Sequence, residues 1–231
     1  TYGERALRPE WEGDAVRDAG KMAVVLEELG RVAAPEPLSP AVVLAGTALA
    51  SCEAGELRNG LLAGLAGGRL VPALAWQESQ RLEQGAPATR ATRTPAGWLL
   101  QGRKRFVRPG AHWHGALIAA ETDEGCTLLW VSQGTPGLDV RGLTLADGSL
   151  AADLTLSGVQ VPEDRMLASP AAGVAVLARA LAFARLGAAA ELLGIVRSAL
   201  QLSLEHLRTR VQFGKPIGSF QALRHRTVDL F

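Results

Sequence analysis

Arg208-Thr209-Arg210-Val211-Gln212-Phe213-Gly214-Lys215-Pro216-Ile217, followed by Phe220-Gln221 and His225, joins a long leucine-rich helical pattern to the start of another helix. An arginine at a helix end supplies a charge-assisted fork for a pyrophosphate. Phe213 adds an apolar wall, Gly214 and Pro216 set a turn, and Gln221 can both donate and accept toward a flat polar edge. Upstream, no proline interrupts residues 171–213, and Leu177, Leu181, Leu192, Leu193, Ile195, Val196, Leu200, Leu204 and Leu207 keep a helical rhythm. One or two long helices are expected there, and the small residues Ala188, Ala189, Ala190 and Gly194 predict close packing in an antiparallel bundle.

Further upstream the texture changes. Trp98 to Leu100, Ala116 to Ala120, Thr127 to Val131 and Leu138 to Val140 are short apolar runs between Gly, Pro, Asp or Thr clusters, which are strand signals. Leu154 and Leu156 alternate before Gly158, and Val159 and Val161 after it, which predicts a strand kinked at the glycine and ended by Pro162. With no long helical pattern between these strands, an antiparallel β-domain is expected. Before it, Met22, Val25, Leu26 and Leu29 mark helical spacing with Gly30 as a stop, short helices break near Pro35 to Pro40, and Glu56 to Leu65 forms a helix ending at Gly67 and Gly68. The fold class is α+β: a helical amino-terminal domain (1–70), a central antiparallel β-domain (71–166) and a carboxy-terminal helical bundle (167–231). Thr1 is not an initiator methionine, and the helix begun after Pro216 reaches Phe231 before it could finish, so both helical parts are expected to be incomplete.

Composition narrows the classes of function. With 231 residues, 48% hydrophobic and 20% charged, the chain has ordinary globular content. Lys plus Arg total 24 against 23 for Asp plus Glu, so no net field recruits a nucleic acid. The uncharged run from Pro37 to Cys52 is too short for a bilayer and contains Pro37 and Pro40, so no membrane span is expected. Cys52 and Cys126 lie far apart without metal-ligand spacing, which fits a reducing cytoplasm. His112 and His114 flank Trp113 without acidic or thiol partners, and the glycines at 60, 64, 67 and 68 follow a helix rather than a strand, so neither a metal centre nor a dinucleotide fingerprint is supported.

The hairpin stretch closely resembles the helix-turn-helix signature of acyl-CoA dehydrogenases. Glu27-Glu28-Leu29-Gly30-Arg31, Trp98 to Phe106 and Gly158-Val159-Gln160-Val161-Pro162 extend the resemblance over most of the chain. It implies a flavoprotein of lipid metabolism with FAD as cofactor, acyl-CoA as substrate, an electron-transfer flavoprotein as acceptor and a homo- or hetero-oligomeric assembly. It also implies that Arg210, Gln212, Phe213 and Gln221 contact FAD across a dimer interface, that Phe106 stacks on the isoalloxazine, and that Arg185 lies near the substrate pocket.

Two stretches depart from the family. Where it carries a Thr-Glu-Pro-x-Ala-Gly-Ser-Asp type loop, this chain has Gln77-Glu78-Ser79-Gln80-Arg81-Leu82-Glu83-Gln84, and only the glutamate survives. Where it has a small hydroxyl near the flavin, this chain has Arg108, a cation that either fills the space, the favoured reading, or stabilises a reduced anionic flavin. Removing the Cα proton of an acyl-CoA needs a carboxylate base; the resemblance places it beyond Phe231 in most members, and no motif selects Glu191 or Glu205. Two functions follow from the resemblance: a dehydrogenase in its own right, or a non-catalytic partner subunit that lends FAD contacts to an active chain. Such pairs are known among relatives acting on bulky, steroid-like acyl-CoAs.

Overall fold

The computed structural model describes residues 14–80 and 86–230. The helices are α1 (Asp14–Arg31), a π-helical segment (Leu38–Gly46) running into α2 (Thr47–Ser51), α3 (Glu56–Ala66), α4 (Gly173–Thr209) and α5 (Gln221–Leu230). Between α3 and α4 lie β1 (Pro72–Ala75), β2 (Arg90–Thr94), β3 (Gly97–Val107), β4 (Gly115–Thr122), β5 (Gly125–Ser132), β6 (Leu138–Thr144), β7 (Leu150–Val161) and β8 (Met166–Ala168). After α4 come the short strands β9 (Val211–Gln212) and β10 (Lys215–Pro216). The described residues fall into two compact units, 35–185 and 14–34 with 186–230.

In the first unit, eight strands form one sheet in the order β6-β7-β3-β2-β4-β5-β8, with β1 added beside β4. The pairing is antiparallel as expected, except that β1 runs parallel to β4 and β2 meets β4 in parallel at one position. The central strands are buried on both faces, and their alternate residues enter two different cores. Ala116, Ile118 and Ala120 of β4 join Trp98, Leu100, Leu154 and Val159 on one face. Leu117 and Ala119 join Leu49, Leu61, Trp130, Val176 and Ala180 on the other, where α2, α3 and the first turns of α4 cover the sheet. Strands covered on both sides read as continuous apolar runs rather than as alternation, which is how β4 and β5 read in the sequence. At Gly158, φ is +71° and the β3–β7 register shifts beside Leu100, so the expected kink is a β-bulge.

The apolar run of residues 37–52 is the π-helical segment with α2, whose Ala41, Val43, Ala45, Ala48 and Leu49 are buried in this unit. By length and composition α4 is long and apolar enough to cross a membrane, although Arg179, Arg185 and Arg197 interrupt its apolar run. Its first turns lie in the second core described above.

In the second unit, α1 packs on α4. An added Cβ at Gly194 would collide with the backbone carbonyl of Glu27, and one at Gly30 with that of Glu191, so both glycines permit close helix contact. α1 ends at Arg31, one residue past the expected stop at Gly30, and the left-handed turn falls at Ala33 with φ +48° rather than at the glycine. Arg197 pairs with Glu27 across the same contact.

Candidate functional site

The end of α4 folds into a tight β-hairpin. The Arg210 amide donates to the His206 carbonyl at 2.9 Å, and Thr209 Oγ1 donates to the Glu205 carbonyl at 2.8 Å, closing the helix. Gln212 then pairs with Lys215, and Val211 with Pro216, leaving Phe213 and Gly214 as the two turn residues. Their φ angles are +53° and +76°, as a two-residue turn with the right twist requires. Glycine adopts this backbone freely, but a phenylalanine there is strained by roughly 1–3 kcal/mol. The Ile217 amide donates to the Arg210 carbonyl at 2.8 Å, fastening the return strand, and Gln221 opens α5 one residue beyond Phe220.

Side chains follow from that backbone. Phe213 is 90% exposed, and its ring meets Phe220 edge to face with centroids 6.1 Å apart. Lys215 Nζ lies 4.5 Å from the Phe220 ring centre. Arg210, Gln212 and Gln221 are exposed, and none makes a side-chain hydrogen bond or ion pair among the described residues. The hairpin thus gathers four of the six sequence-predicted site residues in one motif of the second unit: a cation, two amides and an aromatic without side-chain polar partners.

Phe106 and Arg185 belong to the first unit. Phe106 is half-buried on β3 with φ +52°, and the Arg105 guanidinium lies over its ring at 4.9 Å. Asp153 receives both the Phe106 amide (3.3 Å) and Arg105 Nε (3.4 Å). Arg185 is exposed. Arg108 is exposed, and its charge reaches Asp147, whose carboxyl is held below the usual range mainly by hydrogen bonds from Ser149. Arg81, Leu82, Glu83 and Gln84 lie outside the described residues.

The Glu78–Lys104 pair is visible only in the fold. Lys104 Nζ donates to Glu78 Oε1 at 2.5 Å, with Lys104 fully buried and the Glu78 side chain 8% exposed. Burial opposes the charge on Glu78, but hydrogen bonds from Lys104 and Thr89 outweigh it and hold the carboxyl below its ordinary range. His114 is structural: its Nδ1 accepts the Val71 amide at 3.0 Å. A cleft of about 740 Å³ lies elsewhere in the first unit, lined by Glu53, Glu56, Arg58, Asp164, Arg165 and Ser169. Its polar groups are partly spent, since Ser169 Oγ donates to Glu53 and the Arg58 guanidinium donates to the Leu49 and Ala50 carbonyls. It contains none of the sequence-predicted residues.

Residues 171–230, which include the hairpin, match the family model for the acyl-CoA dehydrogenase C-terminal domain. The chain is 33% identical over 209 residues to acyl-CoA dehydrogenase FadE27 of Mycobacterium tuberculosis, covering 90% of this chain and 54% of that one. Among solved structures, the ChsE4-ChsE5 complex from Mycobacterium tuberculosis superposes with a TM-score of 0.82 at 31% identity, over 91% of this chain and 56% of that one. A variant of the Tcur3481-Tcur3483 steroid ACAD superposes with a TM-score of 0.80 at 33% identity, over 97% of this chain and 59% of that one. The chain spans about half the length of FadE27.

Proposed function

The chain belongs to the acyl-CoA dehydrogenase family, and from that premise we propose that it serves FAD-dependent α,β-dehydrogenation of an acyl-CoA thioester. The observation that carries this is the hairpin: a strained, exposed Phe213 beside Arg210, Gln212 and Gln221, whose polar groups have no side-chain partner among the described residues. Such a set suits FAD. Arg210 offers a fork to the pyrophosphate, Phe213 covers an apolar face, and the amides of Gln212 and Gln221 meet a polar edge. Bound FAD supplies a two-electron acceptor for the hydride leaving Cβ. Arg185 would meet the acyl-CoA, an electron-transfer flavoprotein would take the electrons, and the hairpin would reach the FAD of a second subunit. Neither Glu191 nor Glu205 is assigned as the base; the Glu205 carboxylate is exposed and accepts from Gln201 at 3.4 Å.

A second reading, the partner subunit, draws support from the β-domain. One face of Phe106 carries the chain's own Arg105, and Arg108 stands where the family has a small hydroxyl. The ChsE4-ChsE5 neighbour is itself a complex. On this reading the chain lends its hairpin to FAD held mainly by another dehydrogenase chain.

Expression tests both. A chain that is yellow alone and bleaches with acyl-CoA rules out the partner-subunit reading, and one that gains flavin only when a second dehydrogenase chain is co-expressed rules out self-sufficiency. In either case Arg210→Ala lowers FAD retention by about tenfold or more through loss of a charge-assisted contact; unchanged flavin occupancy removes the hairpin's assigned role.

A further inference from the structure

Lys104 is a fully buried cation whose Nζ meets Glu78 Oε1 at 2.5 Å. The same carboxylate accepts two backbone amides, Ala88 at 2.6 Å and Thr89 at 2.9 Å. One side chain therefore ties residue 78 to residues 88 and 89 and to β3. The next residues of β3 are held in turn: the Arg105 amide donates to the Gln77 carbonyl at 2.8 Å, and the Phe106 amide donates to Asp153. Between Lys104 and Val107 the β3–β7 register slips, and Phe106 takes its left-handed backbone.

Two general facts give this arrangement meaning. A buried ion pair adds little net stability, since an apolar pair of similar volume often serves as well, whereas removing one partner strands a charge. A non-glycine residue at positive φ persists only where its surroundings over-determine it. The worth of the pair thus lies in geometry.

We infer that Glu78 and Lys104 are positioning residues that clamp residues 77–78 and 88–89 onto β3 and so fix the bulge presenting Phe106. This rests on the reading of Phe106 as a flavin contact, and it gives the surviving glutamate of the altered loop a role through Phe106 rather than on the cofactor.

The test uses the full chain, with a second dehydrogenase chain if flavin binding requires one, in three forms: Glu78→Gln, Lys104→Met and the double variant. Hydrogen exchange is followed at the amides of Ala88, Thr89 and Phe106, alongside the FAD dissociation constant and the urea midpoint. Each single variant speeds exchange at these amides by about tenfold or more and weakens FAD by a similar factor. The double variant, which removes both members of the pair, recovers the urea midpoint but not the exchange rates or the FAD affinity. That split separates positioning from mere stability. Exchange within about twofold of the parent in Glu78→Gln, or restored together with stability in the double variant, overturns the inference. If FAD affinity also ignores Arg210→Ala, the flavin reading fails on its own, and the Phe106 amide still decides whether the pair fixes the bulge.

Discussion

Phe213 and Phe220 stand edge to face, their ring planes at 87° and centroids 6.1 Å apart, with Phe213 at the tip of a two-residue turn and Phe220 just ahead of α5. The contact holds an aromatic ring on a backbone that disfavours it. Such a pair contributes about 0.5–1.5 kcal/mol, comparable to the strain it opposes.

Replacing Phe213 by glycine separates these effects. Phe213→Gly relieves the φ of +53° while deleting the ring, so the thermal midpoint holds within about 2–4 °C. FAD affinity, measured by calorimetric titration, falls by about tenfold or more because the apolar wall is gone. A variant that binds FAD as the parent does places the ring outside the cofactor site.

Helix contact in the second unit is tested by two glycines with opposite outcomes. Gly20→Ala on α1 meets nothing within 4 Å and raises stability by about 0.5–1 kcal/mol through backbone entropy. Gly194→Ala has the same helical preference, yet its Cβ meets the Glu27 carbonyl and the α1–α4 contact must open, costing about 1–3 kcal/mol. Urea unfolding of both variants checks the signs. If both stabilise, the two helices do not pack through Gly194.

The hairpin was legible because its chemistry is local: helix end, turn and helix start lie within one short stretch, and Phe213-Gly214 fill the turn. The kink at Gly158 was legible for the same reason, since apolar alternation changes phase across one glycine. Glu78 and Lys104 were not legible. A lysine within a strand ordinarily reads as a solvated position, and its partner lies 26 residues away in a loop, so only the fold brings them together. Gly30 marked the end of α1 to within one residue, but its second role, making room for the Glu191 carbonyl, was not legible because that carbonyl belongs to a helix distant in sequence. Nor does periodicity distinguish the π-helical turns of residues 38–46 from an ordinary short helix.

The two thiols give an alkaline prediction. Burial raises Cys52 to about 12 and Cys126 to about 11, against an ordinary 9.0. Because the folded values lie above the unfolded ones, their stabilising contribution is complete below pH 9 and is lost as pH rises through 11 to 12. Below pH 9 a thiol-disulfide reagent reacts with neither cysteine until the first unit opens. Cys52→Ala should flatten the alkaline limb of a stability profile. An immediate two-thiol reaction at neutral pH would show these side chains to be accessible.

Glu78 works at the other end of the scale. Its folded carboxyl lies below the ordinary value of 4.5, held there against the cost of burial by hydrogen bonds from Lys104 and Thr89. A depressed carboxylate contributes stability that is fully present above its unfolded pKa and declines as pH falls toward the folded one. Protonation leaves the buried Lys104 ammonium facing a neutral acid, the same loss that Glu78→Gln makes permanent. The parent should therefore lose stability on acidification below pH 4.5 more steeply than Glu78→Gln, with the two curves converging at the acid end. Urea midpoints taken at intervals from neutrality downward measure the difference. Parallel curves would mean that the carboxylate is ionised equally well in the folded and unfolded chains, and that Lys104 does not hold it.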